Sequence, residues 1–137
     1  MTGALLIRAV CACAVVAAVA CGRDAAGPSH ELQRTRAGDL DVVLLSSSDA
    51  LQQGHDTAAI EFRRGADLVD VGAVRINAMM PMAGMAPMVG RADVQPTDRP
   101  GRYQVSTDLG MAGGWQLNIQ WEGAAGRGSA TLRASAR

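Results

Sequence analysis

The sequence predicts an all-β chain, an immunoglobulin-like antiparallel β-sandwich of about seven strands behind a short export segment. Three observations predict it. From residue 39 onward, short runs alternate apolar and polar residues with period two. Gly, Pro, Asp and Asn separate these runs at intervals of roughly 10–15 residues, as turns require. Nowhere in that stretch do apolar residues recur at i, i+3, i+4 and i+7 between helix caps. A length of 137 residues suits a single domain.

The elements follow in order. Residues 1–20 carry one charge, Arg8, then twelve apolar or small residues leading to Cys21. That is the layout of a cleaved secretory signal, and the apolar run is shorter than the ~20 residues a spanning helix needs. Residues 21–38 are small, polar and aperiodic; they read as a tether, with His30 solvated within it. The domain then spans residues 39–137. Its first expected strand is 39–46, with Leu40, Val42 and Leu44 on one face. Residues 47–54 suit a single helical turn or a loop. Strand 57–63 groups Ala58, Ile60 and Phe62, and strand 68–80 groups Val74, Ile76, Ala78 and Met80. Strands 88–94 and 102–107 follow, the latter with Tyr103 and Val105 on one side. The clearest strand is 114–121, where Trp115, Leu117, Ile119 and Trp121 alternate with Gln116, Asn118 and Gln120. Residues 129–136 close the chain with Ala130, Leu132 and Ala134.

Composition sets the limits on function. Thirteen Arg, with no Lys, balance thirteen acidic residues, so no basic surface points to nucleic acid. With only Phe62, Tyr103, Trp115 and Trp121 as aromatics, the core falls mainly to Val, Leu, Ile and Met. Cys11 and Cys13 lie in the segment to be removed, and no Cys follows Cys21, so the domain forms no internal disulfide.

The one chemically unusual stretch is Met79-Met80-Pro81-Met82-Ala83-Gly84-Met85-Ala86-Pro87-Met88, which holds five of the seven Met. Pro81, Gly84 and Pro87 exclude a regular helix there and predict a turn-rich loop. Two readings stand side by side. As packing, Met is a flexible filler of irregular gaps, or an adaptable surface for partners. As chemistry, thioether sulfur is a neutral soft ligand suited to Cu(I), and it forms no disulfides in an oxidising compartment. The candidate ligands are Met80, Met82, Met85, Met88 and Met111, whose turn precedes the strand at 114–121.

Two resemblances attach to quoted residues. Ala18-Val19-Ala20-Cys21-Gly22 resembles a lipoprotein processing site, with Ala18 where Leu is usual. The resemblance implies a lipid on Cys21; the alternative is an ordinary signal in which Cys21 is incidental. Met80 to Met88, then Pro100-Gly101-Arg102-Tyr103, then Met111-Ala112-Gly113-Gly114-Trp115-Gln116-Leu117 together resemble the YtkA-like domain family, over residues 38–135. That family is related in pattern to FixH-type proteins and more distantly to CopC-type copper-resistance proteins. The resemblance implies an immunoglobulin-like sandwich working in heavy-metal efflux or respiratory-oxidase contexts. The N-terminal His that CopC-type proteins use for Cu(II) has no counterpart, because Cys21 would begin the mature chain.

Other chemistry is missing. His55 is the only His within residues 39–137 and, without Cys, makes no zinc site of the usual ligand number; it reads as a polar turn residue. Asp39, Asp41, Asp67 and Asp70 have no partner that suggests acid–base work. There is no nucleophile elbow, phosphate loop or dinucleotide fingerprint, so no enzyme activity is expected. The expectation is a membrane-tethered, extracytoplasmic copper-binding module, anchored by lipid on the periplasmic side of the envelope. It would serve an efflux or oxidase-assembly partner, and Gly22 after the Cys leans toward the outer membrane. The alternative is a non-catalytic interaction module that docks through the Met-rich loop.

Overall fold

The computed structural model describes residues 27–137, so the signal segment, Cys21 and residues 22–26 lie outside the described residues. Nine strands and no helix make up the described chain: β1 (His30–Ala37), β2 (Leu40–Ser46), β3 (Gly54–Arg64), β4 (Asp67–Leu68), β5 (Ala73–Met80), β6 (Met88–Pro96), β7 (Arg102–Leu109), β8 (Gly113–Gly123) and β9 (Gly126–Ala136). All strand pairs are antiparallel, in the order β1-β2-β3-β7-β6-β5-β8-β9, with β4 paired to β3. The fold is the expected all-β, immunoglobulin-like sandwich.

Two strands exceed the expected seven. The segment read as tether turns into strand at His30–Ala37, because β1 pairs with β2 from His30↔Ser46 to Ala37↔Leu40. Its polar sequence hides it: all eight residues are exposed or half-buried, so no apolar alternation marks the strand. The expected strand at 68–80 also divides. Residues 69–72 cross from one sheet to the other, and only Ala73–Met80 is β5. Residues 47–53 form a loop, not a helical turn; Leu51 bridges Ala136 in parallel and is fully buried.

The crossover at 69–72 is held by close backbone approach. A Cβ on Gly101 would lie 2.7 Å from the Val69 nitrogen, and one on Gly123 would lie 2.5 Å from the Val71 carbonyl oxygen. Glycine is the residue that fits at both places. Tyr103, on β7, reaches into the crossover and donates its hydroxyl to the Gly72 carbonyl at 2.9 Å, with Asp70 at 3.2 Å. Burial, and then the Asp70 carboxylate, push the phenol above its ordinary pKa. Tyr103→Phe is expected to cost about 0.5–1.5 kcal/mol in urea unfolding, the net worth of the lost hydroxyl hydrogen bond.

Between the sheets, the inward positions of β2, β3 and β7 (Val42, Leu44, Ile60, Phe62, Tyr103, Val105) meet those of β8 and β9 (Trp115, Leu117, Ile119, Trp121, Leu132). Phe62 is the hub, edge-on to Tyr103 at 5.6 Å and to Trp121 at 5.1 Å between ring centroids. Strand β6 belongs to both sheets. Met88, Val89 and Gly90 pair with β5, and Arg91 to Pro96 pair with β7.

Candidate functional site

Strand polarity gathers the Met-bearing segments at one end of the sandwich. The end of β5, the 81–87 loop, the start of β6 and the 110–112 turn between β7 and β8 all lie there. Met80 and Met88 are cross-strand partners and share the inward face. Directly opposed side chains on an antiparallel pair sit about 4.5–5.5 Å apart at Cβ. Both side chains abut the 110–113 segment. A Cβ on Gly113 would meet the Met80 methyl at 2.9 Å and its Sδ at 3.5 Å, while one on Gly110 would meet the Met88 Sδ at 3.7 Å. Met111 lies between these glycines. Its carbonyl accepts a hydrogen bond from the Trp115 Nε1 at 3.1 Å, which fixes the turn to the core.

Met82 and Met85 occupy the loop itself. The Met85 N–H donates to the Met82 carbonyl at 3.3 Å, and Gly84 takes the positive φ of 73° that closes the turn. Loop and turn are as the Pro and Gly residues predict. The five side chains differ in access. Met80 is 8% exposed and packs in the core, Met82 and Met88 are half-buried, Met111 is 38% exposed and Met85 65%. Together with Val89 on β6, Met85 and Met111 are the exposed large apolar residues among those described.

The donor set is thioether alone. No group of three or more His, Cys, Asp or Glu among the described residues could hold a metal ion. His55 is an exposed residue of β3, not of a turn, and its Nε2 lies 3.7 Å from Asp108. Asp39 pairs with Arg64 at 2.7 Å and Asp41 with Arg34 at 3.3 Å, while Asp70 receives the Gly72 N–H at 2.9 Å. Asp67 sits in β4.

One buried ionic group went unread in the sequence. Glu61, 2% exposed on the outer face of β3, accepts from Arg63 at one carboxylate oxygen and from Arg102 Nη1, 2.5 Å away, at the other. The remaining Arg102 amino group donates to the Pro28 carbonyl, and the Ser29 N–H to the Ser46 carbonyl at 3.1 Å. Residues 27–29 are thereby strapped to the sheet whose outer face buries Val43, Leu45 and Ala59. The Glu61–Arg63 spacing of two was a visible signal for a shared strand face. Arg102 comes from a register set forty-one residues away, and no local pattern shows it.

Two of the three motif stretches thus have structural work. Gly101, Arg102 and Tyr103 secure the crossover and the ionic group, and Trp115 secures the Met111 turn. The Met loop is the stretch whose composition the packing explains least, since only Met80 is buried.

Comparison with solved structures returns the filamin domain of Lin-41, at 15% identity and TM-score 0.45, covering 81% of this chain and 97% of that one. It also returns a DUF4426 family protein from Pseudomonas aeruginosa PAO1, at 12% identity and TM-score 0.49, covering 77% of this chain and 94% of that one. No curated protein matches the sequence. The sequence pattern of the YtkA-like family matches residues 35–120, well over half of the chain, from within β1 to within β8. The chain belongs to the YtkA-like family.

Proposed function

We propose that the protein is a non-catalytic, membrane-tethered module of the cell envelope that captures Cu(I) at its Met-rich end and passes it on. The observation that carries this reading is the placement of five Met-bearing positions from two chain segments, the 80–88 hairpin and the 110–112 turn, at one end of the sandwich. Met82, Met85, Met88 and Met111 offer accessible thioethers, and Met80 forms the buried wall behind them. Such donors are soft, uncharged at any pH and indifferent to disulfide chemistry. An ion held without anionic ligands is also readily surrendered, which suits a carrier. Lipid on Cys21 would hold the module at the periplasmic side, with the outer membrane favoured by Gly22, near an efflux or oxidase-assembly partner.

The test is a Cu(I) titration against a chromogenic chelator, on the wild-type protein and on the variant with Met82→Leu and Met85→Leu. Stoichiometric binding by the wild type, weakened at least about tenfold in the variant, is the expected result. No binding, or binding indifferent to both changes, overturns the reading. Leu nearly preserves volume, so the fold should persist.

A second reading has its own observation. The exposed large apolar residues Met85, Val89 and Met111 all lie at or beside this end, where Met provides an adaptable contact surface. In that reading the same end docks an envelope efflux or assembly partner. Co-purification lost on loop mutation but unaffected by chelators would favour docking over copper.

A further inference from the structure

The division of β6 between the two sheets leaves an open edge. From Arg91 to Pro96 the strand pairs with β7 on one side, and no described backbone bonds to the other. Hydrogen-bond parity says which groups are free. The Thr97 N–H donates to the Arg102 carbonyl at 3.3 Å, which makes 97↔102 a hydrogen-bonded pair in the β6–β7 register. In an antiparallel ladder such pairs alternate. Gln95, Asp93 and Arg91 therefore spend their backbone groups on β7, while Ala92, Val94 and Pro96 turn theirs outward. The Phe62 N–H to Gly101 carbonyl bond, 2.9 Å on the far side of β7, has the same parity. So does Pro96 itself: a residue without an N–H is tolerated in a sheet where that N–H would face an open edge.

The open stretch is short and bounded. On one side β5 occupies the same edge at Met88 to Gly90; on the other Pro96 ends the supply of donors. Its inward side chains, Ala92 and Val94, are only half-buried, as is Val74 across the seam on β5. Asp93 and Gln95 stand exposed on the outward face.

We propose that a second copy of this chain pairs antiparallel with this edge, on a two-fold axis through Val94. That register uses every outward donor, and the Ala92 carbonyl, opposite Pro96, is left to water. Val94 exchanges both backbone bonds with Val94 of the second copy, and the Ala92 N–H meets the Pro96 carbonyl. The same bonds repeat across the axis. Asp93 comes opposite Gln95 of the second copy, carboxylate to amide, on the non-hydrogen-bonded pairs, where side chains are closest. The stretch pairs with itself through four backbone bonds and brings its carboxylate opposite its amide on each side of the axis. The interface is small, so it needs the raised local concentration that attachment to one membrane would supply.

Opposed residues of a non-hydrogen-bonded antiparallel pair lie about 4.5 Å apart at Cα, within disulfide reach. Full-length chains carrying Asp93→Cys with one tag and Gln95→Cys with another are mixed in detergent and oxidised with glutathione disulfide. The expected result is a disulfide heterodimer roughly tenfold above that formed when either partner is wild type, which subtracts bridges through the native cysteines. Adding Val94→Pro to both chains removes only edge-facing donors and is expected to abolish it while the Trp fluorescence of the fold is kept. Absence of the heterodimer, or its persistence with Val94→Pro, overturns the proposal. A disulfide to a different protein in a lysate, in place of the heterodimer, assigns the edge to a foreign strand and overturns it too.

Discussion

Replacing Glu61 with Ala is expected to destabilise the sandwich by about 3–5 kcal/mol, because it strands two guanidinium groups that the carboxylate now neutralises. Arg102 is the one that suffers. Its side chain is 16% exposed, between Glu61 and the Pro28 carbonyl, whereas Arg63 is 32% exposed and can turn to water. Glu61→Gln should recover little, since an amide keeps the shape but not the charge. The double replacement Glu61→Met with Arg102→Leu should recover most of the loss, because an apolar pair leaves no uncompensated charge. Urea unfolding followed by the fluorescence of Trp115 and Trp121 reads all three. Acid gives an independent check. Burial pushes the Glu61 carboxyl upward, but hydrogen bonds and charge from Arg63 and Arg102 outweigh it and hold it below the ordinary glutamate value. A carboxyl depressed in the fold contributes its full stability above the unfolded pKa, about 4.3. It loses that contribution as pH falls through the lower folded value. The gap between wild type and Glu61→Gln should therefore be widest near neutrality and close in acid.

Trp115→Ala is expected to cost about 3–5 kcal/mol, by opening a cavity in the core. The indole is 1% exposed, and Gly90 lies so close that a Cβ there would meet its ring at 2.9 Å. The same ring carries the donor that holds the Met111 carbonyl at 3.1 Å. Trp115→Phe separates the two roles. It keeps most of the apolar volume, should cost about 1–2 kcal/mol, and frees the 110–113 turn. Faster amide exchange confined to that turn is the expected signature. Such a variant alters the Met111 turn without touching a sulfur, so a weakened Cu(I) affinity in Trp115→Phe would show that preorganised thioethers matter, not merely their number.

What could be read directly were the strands that obey one rule. In β8 every second residue from Trp115 to Trp121 is apolar, because one face of the strand meets the core and the other meets water. Strand β1 escaped the same rule: of its eight residues only Leu32 and Ala37 pack against the core, both half-buried, and the ladder offered by β2 makes it strand. Strand β2 was expected at 39–46 and is there, but the burial of its outer face was not legible. Val43 and Leu45 occupy its outward positions yet are buried, so both faces are apolar and alternation vanishes. The Met loop was legible in composition and in its turn chemistry. Its proximity to Met111 was an expectation, and the pairings among β5, β6, β7 and β8, between distant segments, are what bring the two together at that end.

By itself, the sequence determined the all-β class, the inward residues of the regular strands, the turn-rich Met segment and the family. Each depends on neighbours a few positions apart, where side-chain period and backbone preference act directly. Tertiary structure alone decided the strand order, the burial of Glu61 between two arginines, the strap at Pro28, the open edge of β6 and the meeting of Met80 and Met88 with the Met111 turn. Those depend on which distant strands pair and in what register, and burying apolar faces selects that pairing for the whole chain at once.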